Sequence, residues 1–283
     1  MNKFDRVIIL GSGDLPYNCA GICMEYMGNV EVVEIKISDG SFLEKKCQSS
    51  GIRYIALTKS EITEYLSNVK EKTLMISASS TYLVPADIIA RPEFTIINWH
   101  NALLPAHRGR NAECWAIYEG DSVTGITWHI LTNEIDGGDI IAKEIIPITD
   151  DMTSLVLFKK QVEKGTECFS KIAAMLFTTG ITTEKQPVAT DIKMHYSKDV
   201  PNDGFLDPNW DYEKISRFLR SMDYGGLMLL GPMKIRIDNS IYCFRKYSVD
   251  TECENEGFYN DNYIFNRDGH RIILKKLRKE SIQ

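Results

Sequence analysis

Arg6-Val7-Ile8-Ile9-Leu10-Gly11-Ser12-Gly13-Asp14-Leu15-Pro16 passes from a short apolar run through two glycines into a stretch of helical period. That is the order of a strand, a tight turn and a crossover helix. The same alternation continues outward from it. Residues 30–37, 54–57, 74–78 and 94–98 read as further strands, and 15–28, 42–50 and 60–69 as the helices between them, with Ser60 and Glu61 suited to a helix N-terminus. Strands that alternate with helices predict an α/β fold with a Rossmann-like, doubly wound parallel sheet. Position 16 is proline where a dinucleotide fingerprint needs its third glycine, so Gly11 and Gly13 are assigned to the turn and nicotinamide binding is not expected.

Downstream, 112–118 reads as helix, 125–131 and 139–146 as strands joined through 133–138, and 153–177 as a long helix whose apolar stripe closes the first domain. The polar stretch 178–208 is broken by Gly180, Pro187, Pro201, Gly204 and Pro208 and reads as a connection. Beyond Trp210 come one helix, 212–222, and strand-like runs at 234–237, 241–247, 258–265 and 271–277, with hairpin turns at Asp238-Asn239-Ser240 and Arg267-Asp268-Gly269. The division is therefore a larger α/β domain over 1–190, a linker over 191–208 and a small β-rich C-terminal domain over 209–283.

A chain of 283 residues suits two domains, and 43% apolar with 25% charged residues is the composition of a soluble globular protein. No apolar run approaches the ~20 residues that cross a bilayer. The run at Val7–Leu10 is too short for a secretory signal, which places the protein in the cytoplasm with no membrane partner. Seven cysteines without a C-x-x-C pair suggest neither a disulfide framework nor a metal site. Lys plus Arg number 33 against 39 Asp plus Glu, a net charge of −6 that argues against a nucleic-acid partner. The basic cluster Arg267, Arg271, Lys275, Lys276, Arg278 and Lys279 reads as a solvated strand and tail.

Chemistry-bearing residues concentrate in Ile97-Asn98-Trp99-His100-Asn101-Ala102-Leu103-Leu104-Pro105-Ala106-His107-Arg108-Gly109-Arg110, then Trp115-Ala116-Ile117, Gly125-Ile126-Thr127-Trp128-His129 and Glu134-Ile135-Asp136-Gly137-Gly138-Asp139-Ile140. Residues i and i+2 of a strand share a face, so Asn98 and His100 project together. They do so beyond the carboxyl ends of the strands, where open α/β sheets bind ligands. Asp136, in a glycine-rich loop, can bring a carboxylate to the same place. Taken singly, each has a plain structural reading: a polar strand end, a turn-forming aspartate. His129 reads equally as a core histidine or a helper, and Trp99, Trp115 and Trp128 as packing residues.

The ordered set Asn-x-His, Leu-Leu-Pro, Arg-Gly, Trp-Ala-Ile, Gly-x-Thr and Asp-x-Gly-x-Ile resembles the formyltransferase family that uses N10-formyltetrahydrofolate, over about residues 74–146 and in layout to about 180. The resemblance implies the formyltransferase fold, that formyl donor and no metal. Asn98, His100 and Asp136 match the family's catalytic Asn, His and Asp. Ala102, Leu103, Leu104 and Pro105 match its folate loop, with alanine in place of the usual serine. Residues 77–84, with Ser80 and Tyr82, resemble the segment that holds the pterin. Arg108 and Arg110 are candidates for acceptor phosphates, with loop-stabilising bonds as the other reading.

Formyl transfer to an amine needs a base, a stabilised oxyanion and a proton for the departing nitrogen, which suits His100 as base, Asn98 as oxyanion donor and Asp136 as partner of the imidazolium. Residues 212–235 resemble the small domain of sugar formyltransferases and of peptide-synthetase initiation formylases. The leading expectation is an N-formyltransferase acting on a dTDP- or UDP-linked amino deoxy sugar for a surface polysaccharide or glycan; a homodimer through the smaller domain is also implied by the resemblance. Alternatives are a methionyl-tRNA or peptide-synthetase-type aminoacyl formyltransferase, a formyltetrahydrofolate hydrolase, and a silent folate- or nucleotide-binding module.

Overall fold

The computed structural model describes residues 3–37, 40–188, 192–227, 229–252 and 255–280. Its contacts form two compact units. The first comprises Met1–Gly109, Gly125–Ile146 and Lys160–Met194, the second Arg110–Thr124, Pro147–Lys159 and His195–Gln283. In chain order the elements begin β1 (Arg6–Gly11), α1 (Asp14–Met24), β2 (Val30–Ile35), α2 (Phe42–Ser49), β3 (Arg53–Leu57), α3 (Lys59–Asn68), β4 (Thr73–Ala78), α4 (Ala86–Ile89), β5 (Phe94–His100) and β6 (Arg108–Gly109). They continue α5 (Ala112–Glu119), β7 (Val123–Ile130), β8 (Ile140–Pro147), α6 (Ser154–Phe177), β9 (Met194–His195), β10 (Phe205–Leu206), α7 (Tyr212–Ser221), β11 (Met233–Ile237), β12 (Ser240–Phe244), β13 (Lys246–Asp250), β14 (Gly257–Tyr259), β15 (Asn262–Arg267), β16 (His270–Lys275) and β17 (Arg278–Lys279).

The first unit is built on a seven-stranded sheet in the order β3-β2-β1-β4-β5-β7-β8. Strands β1 to β5 pair in parallel and β7 runs antiparallel to β5. Val7 to Leu10 and Leu74 to Ile76 are buried at consecutive positions, because a central parallel strand covered on both faces has no solvent side. The order reverses between β1 and β4, and there the strands approach closely: a Cβ on Gly11 would lie 1.8 Å from the Ala78 carbonyl oxygen. Helix α3 starts one residue before the expected Ser60. Its cap is Thr58, whose hydroxyl accepts from the Glu61 N–H while the Glu61 carboxylate accepts from the Thr58 N–H.

The antiparallel pairing of β5 with β7 sorts two sets of side chains. Asn98 lies opposite His129 and His100 opposite Thr127, while Trp99 lies opposite Trp128 on the other face. Trp128 is fully buried, donates its indole N–H to the Gly165 carbonyl at 3.0 Å and packs on Phe169, so the tryptophan face is core. The polar face is left for chemistry.

The second unit holds two four-stranded sheets, β10-β11-β12-β17 and β13-β16-β15-β14. Its core joins Ile215, Phe218 and Leu219 of α7 to Leu206, Ile235, Phe244, Ile272 and Leu274. Three antiparallel pairs are closed by two-residue loops at Asp238-Asn239, Asn260-Asp261 and Asp268-Gly269. The run 241–247 is two strands parted at Arg245, and 258–265 is likewise interrupted at Asn260, whose φ of 56° turns the chain. Within the basic cluster, Arg271 makes two bonds to the Asp250 carboxylate, at 2.9 and 2.7 Å, and Arg267 donates to the Pro208 carbonyl.

The unit boundaries do not follow chain order, unlike the division at 190 and 209. Helix α5 places Cys114 in the second core, the buried Glu113 accepts from the Tyr224 hydroxyl at 2.6 Å, and Ser154 donates to the Ser221 carbonyl. Residues 195–208 of the expected linker belong to the second unit, with Leu206 in its core; 189–191 lie outside the described residues.

Candidate active site

The first unit brings Asn98, His100 and Asp136 together, and adds His129. His100 ends β5 and is 4% exposed. Its Nε2 lies 2.9 Å from the His107 carbonyl oxygen, which can only accept, so Nε2 carries the proton and Nδ1 is the basic atom. That Nδ1 faces Asp136 Oδ2 at 3.5 Å. Burial lowers the imidazole below its usual 6.5, Asp136 works in the other direction without overturning this, and His129 adds to the lowering. His100 is thus neutral at neutral pH, with a carboxylate placed to stabilise the imidazolium.

Asp136 sits in the loop between β7 and β8 with a left-handed φ of 50°, a conformation an aspartate tolerates better than most residues. Burial alone would raise its acid; the neighbouring imidazoles of His100 and His129 and the Gly109 N–H, which donates to Oδ2 at 2.8 Å, outweigh this and pull it down to about 2. The loop runs back tightly against β7. A Cβ on Gly138 would stand 1.8 Å from the Ile130 carbonyl oxygen, so only glycine fits there.

His129 fixes the orientation of Asn98. Its Nδ1–H donates to the Ile130 carbonyl at 2.9 Å, which leaves Nε2 as an acceptor for the Asn98 amide nitrogen at 3.0 Å. The second amide hydrogen of Asn98 has only a long contact, 3.5 Å, with Asp136 Oδ1. Asn98 is half-buried. No sequence signal separated His129 from a core histidine; its role comes from the β5–β7 register.

The loop after β5 is pinned by one hydroxyl. Thr127 donates to the Ala102 carbonyl at 2.7 Å and accepts from the Leu104 N–H at 3.1 Å, and Gln161 donates to the Asn101 carbonyl at 2.7 Å. Ala102 and Leu104 are buried, Leu103 and Pro105 half-buried. With Gly11, Ser12 and Val33, Ser80 and Tyr82 line a crevice of about 220 Å³ over the carboxyl ends of β1, β2 and β4; Ala102 to Pro105 are not among its walls. That crevice stands at the reversal of strand order, where such sheets bind ligands.

The two arginines separate. Arg108 is buried and its guanidinium is taken by Glu134 and, at 2.9 Å, by the Gln186 side-chain oxygen, the loop-stabilising bonds that were the second of its two readings. Arg110 is exposed and belongs to the second unit, where its N–H donates to the His195 carbonyl at 2.9 Å. Among the described residues no group of three or more His, Cys, Asp or Glu is arranged to hold a metal ion, and no helix is long and apolar enough to cross a membrane.

Residues 34–172 match the family described as formyl transferase. A GDP-perosamine N-formyltransferase of Brucella melitensis is 26% identical over 247 residues, covering 84% of this chain and 91% of the relative. A methionyl-tRNA formyltransferase of Clostridium perfringens is 32% identical over 126 residues, covering 44% of this chain and 40% of that protein. Among solved structures, an N-formyltransferase from Helicobacter canadensis in complex with folinic acid and dTDP-3-aminofucose superposes with a TM-score of 0.70 at 18% identity, over 96% of this chain and 99% of that one, a likeness of fold.

Proposed function

We propose, from the premise that this chain belongs to the formyltransferase family, that it moves a formyl group from N10-formyltetrahydrofolate to the amine of a nucleotide-linked amino deoxy sugar. One observation carries the chemistry: a buried, neutral imidazole presents a bare Nδ1 to an ionised carboxylate, beside a half-buried amide with an N–H to spare. The donor supplies an activated formyl carbon and leaves with a proton on its nitrogen. His100 Nδ1 takes the proton that the acceptor amine sheds as it bonds to the formyl carbon. Asp136 stabilises the imidazolium, Asn98 donates to the oxygen that gains charge, and the same imidazolium returns its proton to the departing nitrogen. Ser80, Tyr82 and Ala102 to Pro105 are the residues we assign to the donor.

The acceptor class rests on coverage. The GDP-perosamine enzyme resembles this chain across 84% of its length, whereas the tRNA enzyme resembles 44%. The test is mass spectrometry of a panel of dTDP-, UDP- and GDP-linked amino sugars after incubation with the protein and N10-formyltetrahydrofolate. Gain of one formyl group on a panel member is the expected result. Deformylation of the donor with no sugar modified would favour the hydrolase reading and count against this one.

A pH dependence follows. Because His100 titrates below 6.5, the acidic limb of kcat/KM lies under pH 6.5. Asp136→Asn removes the carboxylate that favours the imidazolium, so the limb moves to lower pH while the maximum rate falls. Stability runs with it: a buried histidine that resists protonation costs stability as pH drops below its unfolded value. A limb above 6.5, or one that moves upward in Asp136→Asn, contradicts the assignment.

A further inference from the structure

We propose that Gln186 is a positioning residue for the catalytic carboxylate, holding the Asp136 loop by its main chain. The inference rests on the role given to Asp136 above. The Gln186 side-chain nitrogen donates to the carbonyls on either side of the turn, Asp136 at 2.6 Å and Gly138 at 2.8 Å. Its side-chain oxygen accepts from Arg108, and Arg108 in turn pairs with Glu134 at the start of the same loop. One primary amide thus uses both its hydrogens and an oxygen lone pair, and closes a ring that runs from Glu134 through Arg108 and Gln186 to Asp136 and Gly138.

The loop needs such a hold. Asp136 has a left-handed φ of 50°, and its two carboxylate oxygens serve different partners: Oδ2 takes the Gly109 N–H and faces His100, while Oδ1 faces His129 and Asn98. A turn of the Asp136 backbone would move both oxygens at once. The bonds from Gln186 to the flanking carbonyls oppose that turn without touching the carboxylate. Gln186 reaches the loop from a stretch after α6, 48 to 50 residues further along the chain.

The charged and titratable groups that bear on His100 are Asp136 of the clamped loop, His129 of β7 and His107. Arg108 faces Gln186 from the other side and is itself paired with Glu134. Displacing Asp136 therefore alters the titration of His100 in the sense of removing its carboxylate.

The test compares Gln186→Ala and Gln186→Glu in the whole chain. Glutamate keeps the length and can still accept from Arg108, but it sets oxygen against two carbonyl oxygens. A packing role survives that change and a donor role does not. Both variants are expected to lose kcat by roughly 10- to 100-fold, the scale of a catalytic group displaced by about 1 Å, with KM for both substrates within about threefold. In an Asp136→Asn background the same substitution should add little, since there is no carboxylate left to position. Full activity in Gln186→Glu, or losses that multiply with Asp136→Asn, overturns the proposal.

A second readout is independent of the reaction. The His100 imidazole, followed by NMR against pH, should titrate in Gln186→Ala at a value shifted from wild type toward that of Asp136→Asn. If wild type transfers no formyl group, the functional reading fails, while the NMR shift still decides the positioning. A wild-type titration in Gln186→Ala overturns the clamp even where the enzyme is active.

Discussion

Turnover in His100→Asn is expected to fall by roughly 10²- to 10⁴-fold, the usual worth of a general acid–base group, while the formyl donor still binds. The loss is large because His129, the other imidazole facing Asp136, does not duplicate the role. His129 has Nδ1–H committed to the Ile130 carbonyl and Nε2 occupied by Asn98, so it cannot replace the missing base. His100 also has a structural bond, from Nε2–H to the His107 carbonyl, and its loss could disturb the loop that follows β5. His100→Gln separates the two effects, since a glutamine amide can keep that donation but has no basic nitrogen. Equal losses in both variants, with donor binding retained by calorimetry, are the predicted pattern. A His100→Gln enzyme of near wild-type rate would remove the base from the account.

The next largest effect is expected for Asn98→Ala, a loss of about 10²- to 10³-fold in kcat, the range seen when one donor to a developing oxyanion is deleted. The geometry sets this apart from a simple binding contact. One Asn98 hydrogen is committed to His129 and the other makes only a 3.5 Å approach to Asp136, a contact that a charged oxygen at ordinary hydrogen-bond distance outcompetes. The interaction strengthens as charge develops, so kcat should fall and KM for the acceptor should change little. Asn98→Asp should be worse than alanine, because it sets a second carboxylate against Asp136 and offers no donor. If Asn98→Ala raises KM at constant kcat, the amide binds the ground state and the oxyanion role is lost.

Much of the first unit was readable because its physics is local. Buried parallel strands are continuous apolar runs, Gly13 marks the turn after β1 while Gly11, read as part of that turn, is the last residue of the strand, and Asn98 with His100 share a face by strand geometry alone. The hairpins at 238–239 and 268–269 were likewise written in their turn residues. What escaped depends on pairing at a distance. Nothing near His129 says that Asn98 will lie opposite it, because that follows from the register of β7 on β5. Arg108 carries the composition of a phosphate ligand, yet Glu134 and Gln186, 26 and 78 residues away, claim it. Gln186 lies in a stretch whose polar, proline-broken sequence reads as connection. The apolar residues of α5 do not reveal which of two cores they will join, and Cys114 joins the second.

The most direct test of the central claim is to follow the formyl carbon itself. With ¹³C in the formyl group of N10-formyltetrahydrofolate and an amino-sugar nucleotide from the panel as acceptor, carbon NMR distinguishes formamide from formate. The account predicts a formamide signal on the sugar that grows as donor is consumed and that is absent with His100→Gln. Label that emerges as formate, or that reaches the sugar equally well with His100→Gln, would contradict it.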